Sequence, residues 1–335
     1  MKEAVSRLLA EGGRSFWSIV GRWEYRLKDL VDALNEMHEQ GELAVRNGTL
    51  ELKGGERLRR LGKRTCRCCR GRGVDVKNTS LLRRFRRLLK ERPPTTADYF
   101  QGNMDAESVV ARVHLMDARD GLAGRRICLV GDDDYLSLAL ALTHLPERVY
   151  VLEIDERIGE FIERCARREG LEVEFMQYSV EEPLPEELRG RCHIFSTEPL
   201  ETLSGFLSFF ARGAGTLAGR NCAGYVGLTN LECSIEKWKR IQEEMLRMGF
   251  VITELRRRFS SYPMEYPEDE MYVEQVVKSL KFRVKPNRKG TWYFSHLFRV
   301  EAVETPKPVP APEERTEIEL FDPGDDMTYP NSMRR

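Results

Sequence analysis

Three aspartates in succession, Asp132, Asp133 and Asp134, follow Gly131 directly after the apolar run ICLV. Two further acids, Glu153 and Asp155, close the next apolar run, VYVL, and Glu198-Pro199 stands after HIFST. Carboxylates can bind a cation, accept hydrogen bonds from sugar hydroxyls, or take a proton from an attacking nucleophile. An anion meeting these aspartates at short range loses on the order of a kcal/mol or more per like-charge contact. The turn therefore has the wrong sign for a dinucleotide phosphate or for the carboxylate of ordinary S-adenosylmethionine, and the right sign for a ligand with a free ammonium. A helix N-terminus attracts acids through its dipole, which accounts for one or two aspartates. Three, with a glutamate at each neighbouring run, point to binding.

The elements around these residues alternate. RRICLVG, VYVLEID, LEVEFMQYS and CHIFSTEP read as strands, with LSLALALTHL, ERIGEFIERCARREG and LETLSGFLSFFARG as helices between and after them. GTLAGRNCAGYVGLT returns as strand, SIEKWKRIQEEMLRMG as helix, FVITELRRRF follows, and TWYFSHLFRVEAV reads as a closing edge strand. Such alternation predicts an α/β, Rossmann-like parallel sheet covered on both faces. Ligands of such sheets sit beyond the carboxyl ends of the strands, where all three acidic groups fall.

The chain has 335 residues, 41% hydrophobic and 32% charged, with 54 basic residues against 54 acidic ones, so net charge points to no partner. Charge is unevenly spread. Residues 56–92 carry fifteen basic residues against three acids, whereas 301–335 carry nine acids against four bases. Ahead of the basic block, LKDLVDALNEMHEQG sets Leu27, Leu30, Val31, Leu34 and Met37 on one helical face, and ELAVRNGTLELKGG is a hairpin around Asn47-Gly48. Helix plus hairpin suggests a winged-helix module, which could bind DNA or simply pack on a partner domain. The expected organisation is residues 1–62 as a winged-helix-like domain, 63–94 as a basic linker, 95–303 as the Rossmann-like domain and 304–335 as an acidic flexible tail. Cys66 and Cys69 form half a zinc site at most, since no second knuckle follows; no metal is expected. Acids interrupt the apolar residues of MKEAVSRLLAEGGRS and no apolar run approaches a membrane span, so a cytoplasmic protein with no membrane contact is expected.

LVGDDDYLSLALAL, VYVLEIDERIGEFIE, the turn STEPLET and GRNCAGYVGLTNLECSIEKWKRIQ, with the Cys66–Gly73 knuckle, resemble the branched-chain polyamine synthases, or N4-bis(aminopropyl)spermidine synthases. The resemblance covers nearly the whole chain. It implies transfer of aminopropyl groups from decarboxylated S-adenosylmethionine, a co-substrate and not a resident cofactor, to the secondary amine of spermidine. It also implies a homodimer. Carried onto this sequence, it makes Asp134 the acid nearest the reacting amine and Glu198 the proton acceptor or cation anchor. Asp132 and Asp133 would hold cationic groups beside Gly131, Glu153 would take the ribose hydroxyls with Asp155 in support, and Ser179 would lie near the adenine.

Two positions depart from the family pattern: Glu198-Pro199-Leu200 stands for Asp-Pro-Pro, and Ser179 for an aspartate. The tail acids Glu313, Glu314, Glu317, Glu319, Asp322, Asp325 and Asp326 could close over a polyamine or merely be solvated. Tyr225, Trp238 and Trp292 could line an acceptor channel or sit in the core. Competing readings are a winged-helix nucleic-acid-binding protein, resting on RLRRLGKRTCRCCRGRG and LLRRFRRLLKE, and an amine methyltransferase using ordinary S-adenosylmethionine.

Overall fold

The computed structural model describes residues 1–10, 12–54, 66, 69, 71–77, 79–263, 269–285, 287 and 291–327. The chain opens with α1 (Lys2–Leu9), β1 (Arg14–Ser15), α2 (Phe16–Val20), α3 (Leu27–Glu39), β2 (Leu43–Arg46) and β3 (Thr49–Leu52), the strands pairing in the order β1-β3-β2. All five apolar residues read onto one face of α3 are buried. The hairpin turns through Asn47 and Gly48, at φ 49° and 82°, the left-handed pair that a two-residue type I′ turn requires. This is the element order of a winged helix. Its apolar face does not stand alone: Leu231, Val273, Val276, Trp292 and Phe294 complete the same core.

The second body contains α4 (Ser80–Leu88), α5 (Ala106–Asp120), β4 (Arg126–Val130), α6 (Leu136–Ala141), β5 (Arg148–Glu153), α7 (Glu156–Glu169) and β6 (Val173–Gln177). It continues with β7 (Ile194–Thr197), α8 (Leu203–Thr216), β8 (Ala223–Leu228), α9 (Ile235–Arg247), β9 (Phe250–Tyr262), α10 (Asp269–Lys278) and β10 (Tyr293–Ala302). The sheet order is β6-β5-β4-β7-β8-β10-β9. The first five strands run parallel, and β10 pairs antiparallel with both its neighbours. The β10 segment, read from sequence as the closing edge, is thus inserted between β8 and β9. Its Phe294, Leu297, Phe298, Val300 and Ala302 are all buried and need cover on both sides. Strand β9, in which charged Glu254, Arg256 and Arg258 alternate with its other residues, tolerates the edge.

Helix α4 buries Leu82, Phe85 and Leu88 in the large core, and its arginines turn to acids of the same body. Arg86 pairs with Glu107 at 2.5 Å, and Arg84 and Arg87 both reach Glu169 at 3.8 Å. The basic stretch 55–65, with Cys68, lies outside the described residues.

The tail departs from its composition. Residues 304–327 are laid along the sheet domain, not free: Leu184 N donates to Pro312 O at 2.7 Å and Thr316 N to Glu181 O at 2.9 Å. The fully buried Arg212 of α8 donates to Ala311 O and Glu314 O at 2.9 and 2.7 Å. Backbone carbonyls held by a buried guanidinium outweigh the disorder that the Pro-rich, acidic sequence suggests.

Candidate active site

The acidic turn is shaped by two left-handed residues. Gly131 has φ 77° and the buried, non-glycine Tyr135 has φ 58°, a conformation costing about 1–2 kcal/mol for an ordinary residue. Edge-to-face packing of Tyr135 on Phe161, with centroids 5.0 Å apart, helps hold it. The turn fans its three carboxylates apart. Asp132 faces the first turn of α6, accepting from Ser137 N at 3.2 Å. In that position it serves as a helix-terminus acceptor. Asp133 accepts from Gly102 N at 3.1 Å, and Asp134 from Met104 N.

Asp133, Asp134, Glu153, Ser179 and Glu198 line one cleft of about 420 Å³ at the carboxyl ends of β4, β5 and β7, a small-molecule size. Gly131 also lines it; Asp132 and Asp155 do not. Glu153 accepts from Asp132 N and Asp155 N, each at 2.9 Å and one on each oxygen. Each oxygen keeps a second lone pair for a hydroxyl. Asp155 caps α7 through Arg157 N at 3.0 Å, pairs with the Arg157 guanidinium at 2.6 Å and accepts from Gln101 at 2.7 Å. Burial alone would raise its carboxyl, but the hydrogen bonds from Arg157 and Gln101 hold it below the usual range. Asp155 thus supports Glu153 through its own backbone amide. Ser179 Oγ accepts from Glu181 N at 3.3 Å beside apolar Ile154, Val180, Phe209 and Ile318, a slot suited to a flat base.

Burial, then the repulsion of Glu153, pushes Asp133 up to about 7. Burial, then Asp133 and Glu198, lift Asp134 well above the carboxylate range. Beside them the protein itself supplies a cation, at Glu198. There Arg112 of α5, 1% exposed, forms an ion pair, and Tyr262 OH donates at 2.8 Å. The carboxylate lies over Gly227, where a Cβ would overlap it. The longer glutamate therefore occupies space that only a glycine leaves.

A second acidic group lies along the same cleft. Tyr293 OH donates to Glu232 at 2.7 Å and to Glu201 at 3.3 Å. Burial, then Glu232 and Asp326, lift the Glu201 carboxyl well above its usual range. Tyr262 and Tyr293 meet edge to face at 5.6 Å, linking the two acidic groups. Sequence reasoning missed Arg112, Tyr262, Tyr293, Glu201 and Glu232. The last could have been found by the strand-end argument already applied to Glu198, because it follows β8. Of the aromatic candidates, Trp292 lines the cleft, whereas Tyr225 bonds Asp120 and Trp238 packs on Phe298 and His296. Ile318 and Leu320, not the tail's acids, line the cleft. Among the described residues no group of three or more His, Cys, Asp or Glu forms a cation cage, and no helix is long and apolar enough to cross a membrane.

Residues 80–325 match the family model of the branched-chain polyamine synthase A C-terminal domain. The chain belongs to the branched-chain polyamine synthases. It is 35% identical over 319 residues to the N(4)-bis(aminopropyl)spermidine synthase of Thermococcus kodakarensis, covering 92% of this chain and 88% of that one. To the synthase of the same name from Thermus thermophilus it is 39% identical over 290 residues, 86% of this chain and 83% of that one. The branched-chain polyamine synthase structure from Thermus thermophilus, in complex with N4-aminopropylspermidine and 5′-methylthioadenosine, superposes with a TM-score of 0.87 at 35% identity. That superposition covers 98% of this chain and 93% of that one. The family match takes in the sheet domain, and the superposition extends over the N-terminal unit as well.

Proposed function

We propose that this branched-chain polyamine synthase moves aminopropyl groups from decarboxylated S-adenosylmethionine to the secondary amine of spermidine. The products are N4-aminopropylspermidine, then N4-bis(aminopropyl)spermidine, with methylthioadenosine released at each transfer. The observation that carries the reading is one cleft in which Asp133, Asp134 and Glu198 face a nucleoside-sized slot bounded by Glu153 and Ser179. Glu153 takes the ribose hydroxyls and Ser179 stands near the base. The aspartates attract the donor's free ammonium and the acceptor's charges. In the first transfer the acceptor nitrogen forms the new C–N bond as the C–S bond breaks, the electron pair leaving with sulfur, and a carboxylate takes the displaced proton. The second transfer starts from a tertiary amine and releases no proton, so alignment with the C–S bond supplies most of the rate.

On the same reading the enzyme works as a cytoplasmic homodimer without a resident cofactor, and its parts are a winged-helix-like unit, a basic connecting segment, the catalytic sheet and a C-terminal strap. Incubation with the decarboxylated donor and spermidine, followed by mass analysis, should show additions of one and two aminopropyl groups. No addition, or tighter calorimetric binding of the carboxylated donor, would overturn it. Pairing of the α4 arginines with Glu107 and Glu169 removes part of the charge on which the nucleic-acid reading rested.

A further inference from the structure

Arg112 is a buried cation with one carboxylate partner among the described residues, Glu198. Its guanidinium also donates to Ser260 Oγ at 3.1 Å and approaches Ser196 Oγ at 3.5 Å, so β7, β9 and α5 together fix its position. The charged and titratable groups facing this pair are Asp134 and Asp133 from the β4 turn and Tyr262 from β9. One Glu198 oxygen accepts from Arg112 and the other from Tyr262, which itself meets Ser295 Oγ at 3.2 Å. Gly227 leaves room for the carboxylate in this position. With a charge-assisted bond on one oxygen and a phenol bond on the other, the carboxylate is held in one orientation by protein donors. Asp134, which accepts from the Met104 backbone amide, lines the same cleft.

We propose that Arg112 is a positioning residue for aminopropyl transfer: through Glu198 it holds a fixed anion against Tyr262 that orients the acceptor, leaving Asp133 or Asp134 to take the proton. This rests on the transfer reading above. The nitrogen lone pair makes the C–N bond, the C–S electron pair departs with methylthioadenosine, and the ammonium proton passes to the aspartate. The extra methylene that distinguishes this chain from the family's aspartate thereby becomes reach toward Arg112.

The test uses the full chain with Arg112→Gln, Arg112→Lys, Glu198→Gln and the Arg112→Gln/Glu198→Gln double variant. Melting, and kcat and KM for spermidine, are measured on the same proteins. Without Arg112 the Glu198 carboxylate loses its charged partner, and removing one member of a buried pair costs more than removing both. Arg112→Gln should therefore melt below wild type, and the double variant should recover part of the loss. In turnover, Arg112→Gln should lose about tenfold or more in kcat/KM, Arg112→Lys should recover part of it, and the double variant should be no worse than the poorer single one, as coupled residues behave. A double variant that melts no higher than Arg112→Gln, or turnover losses that multiply in it, would overturn the proposal. So would an Arg112→Gln protein that folds at no pH and is not rescued by Glu198→Gln. If wild type yields no product, the transfer reading fails, while the melting series still decides whether Arg112 and Glu198 act as a pair.

Discussion

Three adjacent aspartates share one letter of the sequence and do three different things. Asp132 is consumed by the start of α6, Asp133 is tied to the Gly102 amide, and Asp134 is tied to the Met104 amide at the cleft wall. Their substitution should separate accordingly. Asp134→Asn should abolish product with the melting temperature kept, whereas Asp132→Ala should cost about 1 kcal/mol of stability, the value of a lost helix-terminus acceptor, and keep measurable turnover. Melting curves and product mass on the two variants check this. Equal turnover in wild type and Asp134→Asn would remove that aspartate from the chemistry. The aspartates were legible as a group because like charges at a strand end are conspicuous. Which of them faces the cleft was not, since that depends on the left-handed Tyr135 and on where residues 102–104 cross.

At the level of elements, the C-terminal strap is the part whose role the fold changes most. It brings Ile318 and Leu320 to the cleft, and its end is fastened by Asp325. That carboxylate meets Arg26 of the N-terminal unit at 2.6 Å, Lys237 of α9 at 2.9 Å and Ser234 N at 2.8 Å. Burial would raise the Asp325 carboxyl, yet these partners hold it below its usual range. Asp325→Ala leaves Lys237 with Asp322 at 2.8 Å, so the loss should fall below the ~3–5 kcal/mol of a stranded buried charge, at about 2. The expected kinetic effect is a raised KM for both substrates with a smaller change in kcat, because the strap's end would no longer be fixed over the cleft. Steady-state kinetics on this variant, beside denaturant unfolding, tests both halves.

Across the whole molecule, buried carboxylates gather at the carboxyl ends of the sheet's strands. Asp133 and Asp326 are each pushed up to about 7, by burial first and then by Glu153 and Glu232 respectively. A carboxyl whose folded pKa is raised contributes stability that is present at low pH and lost as pH climbs through that value. The free protein should therefore melt several degrees lower at pH 8 than at pH 6. Saturating spermidine, which binds only the folded state, should restore most of the difference, and calorimetric scans with and without the amine would show it. A melting temperature flat across this range would mean that these acids are already neutralised within the protein. The N-terminal unit belongs to this scale too. Its core is shared with Trp292, Phe294 and α10, so it packs behind the Trp292 side of the cleft.

The amino-acid sequence by itself determined the alternation of strands and helices, the hairpin at Asn47-Gly48 and the carboxyl-end placement of Asp134, Glu153 and Glu198. These follow from periodicity, turn chemistry and charge, which act over a few neighbouring residues. Only the tertiary structure decided that β10 lies inside the sheet, that the acidic tail is docked, and that Arg112, Tyr262 and Tyr293 take hold of the glutamates. Those outcomes join residues between 31 and 299 positions apart, and no local pattern records them. They depend on which buried charge finds its partner once the helices and strands have packed.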